Sequence, residues 1–348
     1  MHITIGQRII GNNKPTFIIA EAGVNHNGSP ELARELIDAA AQAGADAVKF
    51  QTFHAESVVT STADKADYQK HTTSSDESQY EMIKKLELSD DTFRELSVYA
   101  EKKGIIFLST PFDEESVDLL DEIGVPAFKI PSGEITNFPL LKKIAEKPKP
   151  IILSTGMATL GEVEEAVAYL RKHGAQELIL LHCTTSYPAP IHSVNLRAME
   201  TLHCAFKVPV GYSDHTEGIT IPIAAVAMGA QVIEKHFTLD RSLSGPDHLA
   251  SLEPDELKAM VQAIRDVERA FGNGVKRPSE EEEAIKFVAR KSIVANKDIP
   301  KGERLREDAL TIKRPGTGIE PKYVERVSQM KARSTISKDQ VITWDMVE

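Results

Sequence analysis

The feature that most constrains this chain is a repeat. From Phe17 to about Phe237 one unit recurs: a short apolar run, a polar loop, then a helix with one apolar face. The apolar runs are Phe17–Ala20, Ala45–Phe50, Ile105–Leu108, Ala127–Ile130, Ile151–Leu153, Leu178–Leu181, Val208–Gly211 and Gln231–Glu234. They are short and rich in β-branched and aromatic residues, the pattern of strands buried on both faces. Helical spacing follows in Pro30–Ala43, Asp91–Lys103, Glu114–Ile123, Leu160–His173, Ile219–Met228 and Pro254–Phe271. Ser29 before Pro30 reads as a helix start, and Gly44, Gly104, Gly124 and Gly174 as helix ends. Eight strands alternating with helices predict an α/β fold, a closed (β/α)8 TIM barrel. An open doubly wound sheet is the alternative. It usually opens on a glycine-rich phosphate turn, and Glu21-Ala22-Gly23-Val24-Asn25-His26 lacks that form.

The repeat ends near Phe271. The reading is a barrel over 1–271, a linker over 272–290 with the acidic run Glu280–Glu283, and a small β-rich module over 291–348. One connection inside the barrel, His54 to about Ser78, is long and polar, and reads as a lid over the active face.

Composition narrows the function. A formal net charge of -11 argues against nucleic acid or an anionic membrane as partner. The start of the chain lacks a signal-peptide pattern, and no apolar stretch reaches spanning length. Two cysteines, Cys183 and Cys204, without a Cys-x-x-Cys, suit a reducing cytoplasm and no zinc-thiolate site. Cys183 reads as buried filler.

In a barrel of this kind chemistry gathers at the C-terminal strand ends. Those ends carry Glu21, Lys49 with Gln51, Ser109-Thr110, Lys129 with Ser132 and Glu134, and Ser154-Thr155-Gly156. His182 through Tyr187, Ser213-Asp214-His215 and Glu234-Lys235-His236 complete the ring. Lys49 and Lys129 each interrupt an apolar strand. A buried ammonium costs several kcal/mol unless an anion meets it, roughly the penalty for an unpaired charge. With hydroxyls at Thr110, Ser132, Ser154 and Ser213, the pair points to a bound phosphate or carboxylate. A Schiff-base lysine is the competing reading. His215 and His236 end consecutive strands and could share a divalent ion. His26, His182 and His203 have no such partner and read as structural, although His26 lies in the first strand-end loop and could touch substrate.

Together these residues form a known pattern. Ile18-Ile19-Ala20-Glu21-Ala22-Gly23 with Asn25-His26-Asn27-Gly28, Val48-Lys49-Phe50-Gln51-Thr52, Ser109-Thr110-Pro111-Phe112 and Lys129-Ile130-Pro131-Ser132-Gly133-Glu134 resemble the sialic acid synthase family. So do Leu153-Ser154-Thr155-Gly156-Met157, Tyr187-Pro188, Tyr212-Ser213-Asp214-His215 and Glu234-Lys235-His236-Phe237-Thr238. Lys313-Arg314-Pro315-Gly316-Thr317-Gly318 is similar to that family's antifreeze-like (SAF) domain.

The resemblance implies condensation of phosphoenolpyruvate with an N-acetylated amino sugar to a nine-carbon 2-keto acid. His215 and His236 would bind Mn2+, or Mg2+ or Co2+. Lys49, Thr110, Lys129, Ser132, Ser154 and Ser213 would hold phosphoenolpyruvate. Glu21, Gln51, Glu134, Tyr187 and Asp247 would contact the open-chain sugar or an activated water. Glu134 is the candidate base, and Arg314 would reach a partner barrel in a domain-swapped homodimer. Thr185 and Ser186 stand where bacterial sialate synthases often carry an asparagine and an apolar residue, which bears on the sugar more than on the reaction. Legionaminic, pseudaminic and spore-coat sugar synthases share nearly all these motifs. A barrel aldolase and a non-catalytic sugar-binding protein are the other readings.

Overall fold

The computed structural model describes residues 2–65 and 77–348. It divides into two compact units, Met1–Phe271 and Gly272–Glu348.

The first unit opens on a hairpin, β1 (His2–Ile5) and β2 (Arg8–Gly11), paired antiparallel. Then come β3 (Phe17–Gly23), α1 (Pro30–Ala43), β4 (Ala47–Thr52), α2 (Ala55–Val58), α3 (Gln79–Leu86), α4 (Asp90–Lys103), β5 (Ile106–Pro111) and α5 (Glu114–Ile123). The alternation continues through β6 (Phe128–Ile130), α6 (Phe138–Ala145), β7 (Ile151–Ser154), α7 (Leu160–Lys172) and β8 (Leu178–Cys183). It closes with α8 (Ala198–Phe206), β9 (Val210–Asp214), α9 (Thr220–Ala227), β10 (Val232–His236) and α10 (Pro254–Ala270). Sheet order is β5-β4-β3-β10-β9-β8-β7-β6, every pairing parallel. The eight strands form a nearly closed barrel; β5 and β6 lie side by side at the seam without a ladder between them.

The caps explain where the helices begin and stop. Ser29 accepts from the Leu32 amide, and Gly44 ends α1 in the left-handed region at φ 81°. Gly104 and Gly124 do the same for α4 and α5. Gly174 lies one residue beyond the cap of α7, which is His173. Most strands run two or three residues further than their apolar runs, so polar tips such as Gln51, Thr110, Ser154 and His236 belong to the ladders. Ladder hydrogen bonds satisfy the backbone there whatever the side chain, which is why apolarity stops before the strand does.

The predicted connection after His54 begins with the short α2, and Ser78 caps α3 with a full capping box. The centre of the predicted lid, 66–76, lies outside the described residues.

Strand alternation divides the core in two. Ile18, Ala20, Val48, Phe50, Ile130 and Tyr212 point outward and pack under the helices. Phe17, Ile19, Ala47, Leu108, Ile152, Ile179, Leu181 and Val232 fill the barrel interior, closed below by Ile3, Ile5 and Ile10 of the hairpin. Among the described residues no helix is long and apolar enough to cross a membrane.

The second unit contains α11 (Glu280–Ala289), the antiparallel pair β11 (Ser292–Ala295) and β12 (Leu310–Lys313), and α12 (Val324–Ser328). Its own core gathers Ile293, Ile299, Leu305, Ile336 and Ile342. The acidic run Glu280–Glu283 is the first turn of α11, capped by Ser279, where carboxylates meet the positive end of the helix dipole.

Candidate active site

The inward parity that places Phe17 and Ile19 inside the barrel continues to Glu21. It likewise runs from Ala47 to Lys49 and Gln51, from Leu108 to Thr110, and from Ala127 to Lys129. Ile152 leads to Ser154, Leu181 to Cys183, and Val232 to Glu234 and His236. An apolar layer therefore sits below a charged one, and the charged layer is the floor of a cavity of about 380 Å³. Glu21, Lys49, Gln51, Thr110, Lys129, Ser132, Glu134, Ser154, Tyr187, Ser213, His215, His236 and Asp247 all line it. Every barrel residue singled out from the sequence as catalytic, substrate-binding or metal-binding is thus in one place.

The lysines do not stand free. Lys49 Nζ lies 2.7 Å from Glu21 Oε2 and 3.6 Å from Glu234 Oε2, and donates to Thr110 Oγ1 at 2.9 Å. Lys129 Nζ is 3.3 Å from Glu234 Oε1, which also accepts from Ser213 Oγ at 2.9 Å. Internal carboxylates therefore hold part of the charge that the sequence reading gave to a bound phosphate or carboxylate. Space for a ligand remains above them.

Electrostatics inside the network are asymmetric. Burial raises the Glu21 carboxyl to about 7, more than Lys49 lowers it. Burial acts upward on Glu234 too, but Lys129 and Lys49 overcome it and hold that group at about 2. Burial pulls Lys129 down, whereas for Lys49 the two carboxylates outweigh burial and raise it. Near pH 7 Glu21 is divided between its two forms; where it is protonated, two ammonium groups face one carboxylate and the floor carries net positive charge.

The histidines meet at the opposite side of the floor. Ring centroids of His215 and His236 are 5.4 Å apart, and Tyr187 lies on His215 at 4.1 Å. His215 Nδ1 donates to the Thr184 carbonyl at 2.8 Å, leaving Nε2 for other use. His236 Nδ1 is buried with no hydrogen-bond partner among the described residues, 3.7 Å from Asp247 Oδ2. Burial holds His236 well below the usual imidazole range, so its nitrogen carries a lone pair at neutral pH. Burial also raises Asp247 to about 6. Among the described residues no group of three or more His, Cys, Asp or Glu is arranged to enclose a metal. Burial pulls His215 down as well, but Cys183, the Thr184 carbonyl and Glu234 outweigh it and raise that ring, so the two rings differ in basicity. Adjacent imidazoles with one orphaned nitrogen on His236 suit an ion whose remaining positions come from substrate and water.

Further polar groups converge on the floor. Ser154 Oγ is buried and has no hydrogen-bond partner among the described residues. Gly156 donates its amide to Ser132 Oγ at 2.9 Å, and a Cβ there would come within 2.3 Å of Thr185 Oγ1. Glu134 accepts from Asn137 Nδ2 at 2.6 Å. Arg314 belongs to the second unit, where it is exposed and its Nε donates to the Ala289 carbonyl at 3.0 Å.

Two site residues were missed. Cys183, read as filler, lines the cavity with Sγ 3.7 Å from Ser132 Oγ and 3.9 Å from His215 Nδ1. Glu234, read only as a neighbour of the histidines, bridges both lysines. Period-two counting along β8 and β10 carries the signal for both, because it puts them on the inward face. The same parity sends Asp214 and Lys235 outward, where they form a fully buried ion pair at 2.6 Å that belongs to the scaffold. His26 is buried outside the cavity lining, its Nδ1 accepting from the Gly28 amide at 3.1 Å.

The arrangement has counterparts among known proteins. The model of the NeuB family matches residues 36–276, and that of the SAF domain matches 290–348. The chain belongs to the NeuB family. A NeuB-family relative, the N,N'-diacetyllegionaminic acid synthase of Campylobacter jejuni, is 57% identical over 331 residues, 94% of this chain and 99% of its own length. The human N-acetylneuraminate-9-phosphate synthase is 38% identical, over 98% of this chain and 95% of its own. Among solved structures, the N-acetylneuraminic acid synthetase of Leptospira borgpetersenii superposes with a TM-score of 0.72. It is 40% identical, over 82% of this chain and 95% of that one. The NeuB-family barrel and the SAF domain are therefore those of sialic-acid-type synthases.

Proposed function

We propose that the protein condenses phosphoenolpyruvate with the aldehyde of an open-chain N-acetylated amino sugar, releasing phosphate and a nine-carbon 2-keto acid. The observation that carries this reading is the shared cavity: a floor with two lysines and a hydroxyl, Ser154, that has no partner among the described residues, beside the paired imidazoles of His215 and His236. Relatives named as synthases of legionaminic, pseudaminic and neuraminic acids support it.

Lys49, Lys129, Thr110, Ser132, Ser154 and Ser213 hold phosphoenolpyruvate through its phosphate and carboxylate. His215 and His236 would hold a divalent ion, manganese in our reading. When bound, such an ion supplies Lewis-acid polarisation of the sugar aldehyde. Carbon 3 of phosphoenolpyruvate then bonds to the aldehyde carbon, whose oxygen takes up a proton to become a hydroxyl. Water adds at carbon 2, and Glu134 takes the proton it loses. The tetrahedral centre then breaks its carbon–oxygen bond to the phosphate, the carbon 2 hydroxyl passes its proton to the departing phosphate oxygen and becomes the keto group, and Lys49 and Lys129 neutralise the leaving anion. Glu21, Gln51, Tyr187 and Asp247 orient the sugar. Arg314 completes the site of a partner subunit in a homodimer, and the cytoplasm supplies both substrates.

The test is phosphate release from phosphoenolpyruvate that requires both an N-acetylated hexosamine and manganese. Release independent of sugar sinks the reading. One observation favours a second route: burial lowers Lys129, which a Schiff-base amine also needs. Borohydride reduction with substrate traps a covalent adduct on that route alone.

A further inference from the structure

Asp247 enters the cavity from a loop, whereas Lys49 and Lys129 stand on strands. The loop covers residues 238–251. A bridge between Phe237 and Leu252 closes its neck. There the Leu252 amide donates to the His236 carbonyl at 2.9 Å, and the Thr238 amide to the Leu252 carbonyl at 2.8 Å. Inside the loop the one regular element is a single 3-10 turn, His248–Ala250. A carboxylate on such a segment keeps a fixed angle to a ligand only if neighbouring groups hold the segment, since no ladder does.

The holding groups come from the loop after β3. Asn25 Nδ2 donates to the Phe237 carbonyl at 2.8 Å and to Ser251 Oγ at 3.0 Å. Ser251 Oγ in turn donates to the carbonyl of Asp247 at 2.6 Å. His248, the next residue, makes a second tie. Its Nε2 lies 3.1 Å from Asn27 Oδ1, and its Nδ1 2.6 Å from Thr238 Oγ1. An amide oxygen can only accept, so Nε2 carries the proton and donates. Burial keeps the ring below the usual imidazole range, and the neutral ring accepts at Nδ1 from the Thr238 hydroxyl. Gly245 closes over this tie at φ 157°: a Cβ there would lie 2.7 Å from His248 Cδ2 and 2.8 Å from Asn27 Oδ1.

Asn25, Thr238, His248 and Ser251 are each at most 3 % exposed, yet none of them lines the cavity. Buried polar groups add little net stability over an apolar fill of the same shape, but their bonds are directional. What such a cluster supplies is an angle. Resting on the condensation reading above, we propose that His248 is a positioning residue of the site. Through Nε2 and Asn27 it locks the Asp247 loop to the loop after β3, the strand whose tip carries Glu21. The lock sets the direction from which Asp247 meets the acceptor sugar. The lysines that hold phosphoenolpyruvate are fixed by their own ladders and do not depend on it.

The experiment measures kcat and both Michaelis constants by phosphate release. The acceptor is whichever of N-acetylmannosamine and a 2,4-diacetamido-6-deoxyhexose turns over faster. His248→Leu fills the space and removes both side-chain bonds. It should lower kcat/KM for the acceptor about tenfold or more, short of the roughly hundredfold that a misplacement of about 1 Å can cost, while KM for phosphoenolpyruvate stays within about twofold. His248→Gln, whose amide can still donate to Asn27, should recover most of the loss. Asn27 stands at φ 51°, so Asn27→Gly removes the acceptor without backbone strain. That variant should lower acceptor kcat/KM about threefold or more, and it carries the test if His248→Leu does not fold. A parallel rise in both Michaelis constants, no recovery with His248→Gln, or unchanged acceptor kcat/KM in either His248→Leu or Asn27→Gly overturns the positioning role and leaves the condensation standing. No sugar-dependent release by the wild type overturns both.

Discussion

Glu234→Gln tests the floor of the site directly. The substitution keeps the side-chain size and an oxygen for Ser213, and removes the charge between two ammonium groups at 3.3 and 3.6 Å. At an effective dielectric of about 20, each contact is worth roughly 5 kcal/mol of attraction. Desolvation of the carboxylate offsets part of this, and Lys129, already pulled down by burial, sheds its proton before it sits unpaired. Breaking a buried pair from one side costs about 3–5 kcal/mol, and we expect a loss of about 3 kcal/mol in unfolding free energy. Urea unfolding followed by far-UV circular dichroism reads it. Repeating the titration in phosphate and in chloride at equal ionic strength adds a second readout. If the floor is an anion site, phosphate stabilises the variant more than the wild type, because the anion replaces the lost carboxylate. At a hundredfold excess over its dissociation constant, phosphate would recover about 2.7 kcal/mol. Unchanged stability refutes the charge argument, and an equal gain from phosphate in both proteins refutes the anion site.

Other expectations follow from the same geometry. Gly211 of β9 faces the interior, and a Cβ there would lie 2.3 Å from the Val232 carbonyl oxygen. Gly211→Ala should therefore cost about 1–3 kcal/mol through displaced β10 backbone, read as a lower urea midpoint. The raised carboxyls of Glu21, to about 7, and Asp247, to about 6, set a pH dependence. The folded state binds protons that the unfolded chain has released, so the contribution of these two groups to the stability of the metal-free protein declines as pH rises from about 4 through 7, against the opposite contribution of the lowered histidines His26 and His236. Glu21→Gln should flatten the upper part of that decline, and an unaltered profile contradicts the assignment. For the second unit, mixing Arg314→Ala with Lys49→Ala subunits should restore a measurable fraction of activity if the arginine completes a partner's site. Absence of rescue in demonstrably mixed dimers argues against it.

The sequence alone determined the eightfold alternation, the helix caps at Ser29, Gly44, Gly104 and Gly124, and the ring of polar residues at the strand ends. These are local: a strand buried on both faces must be apolar, a left-handed cap favours glycine, and strand ends are where a barrel exposes side chains to a ligand. From such rules Lys49, Lys129, His215 and His236 could be named together before any coordinate was known. Tertiary structure decided who neutralises whom. Glu21 and Glu234 are separated by most of the barrel sequence, yet ring closure places β3 beside β10 and both carboxylates against Lys49. Tertiary structure also decided that Cys183 faces the cavity and that α3 supplies part of its lining, because a helix outside the repeat carries no register that says where it docks. Backbone rules act within a few residues, whereas the balance of buried charge and the shape of a pocket depend on groups brought together only when the barrel closes.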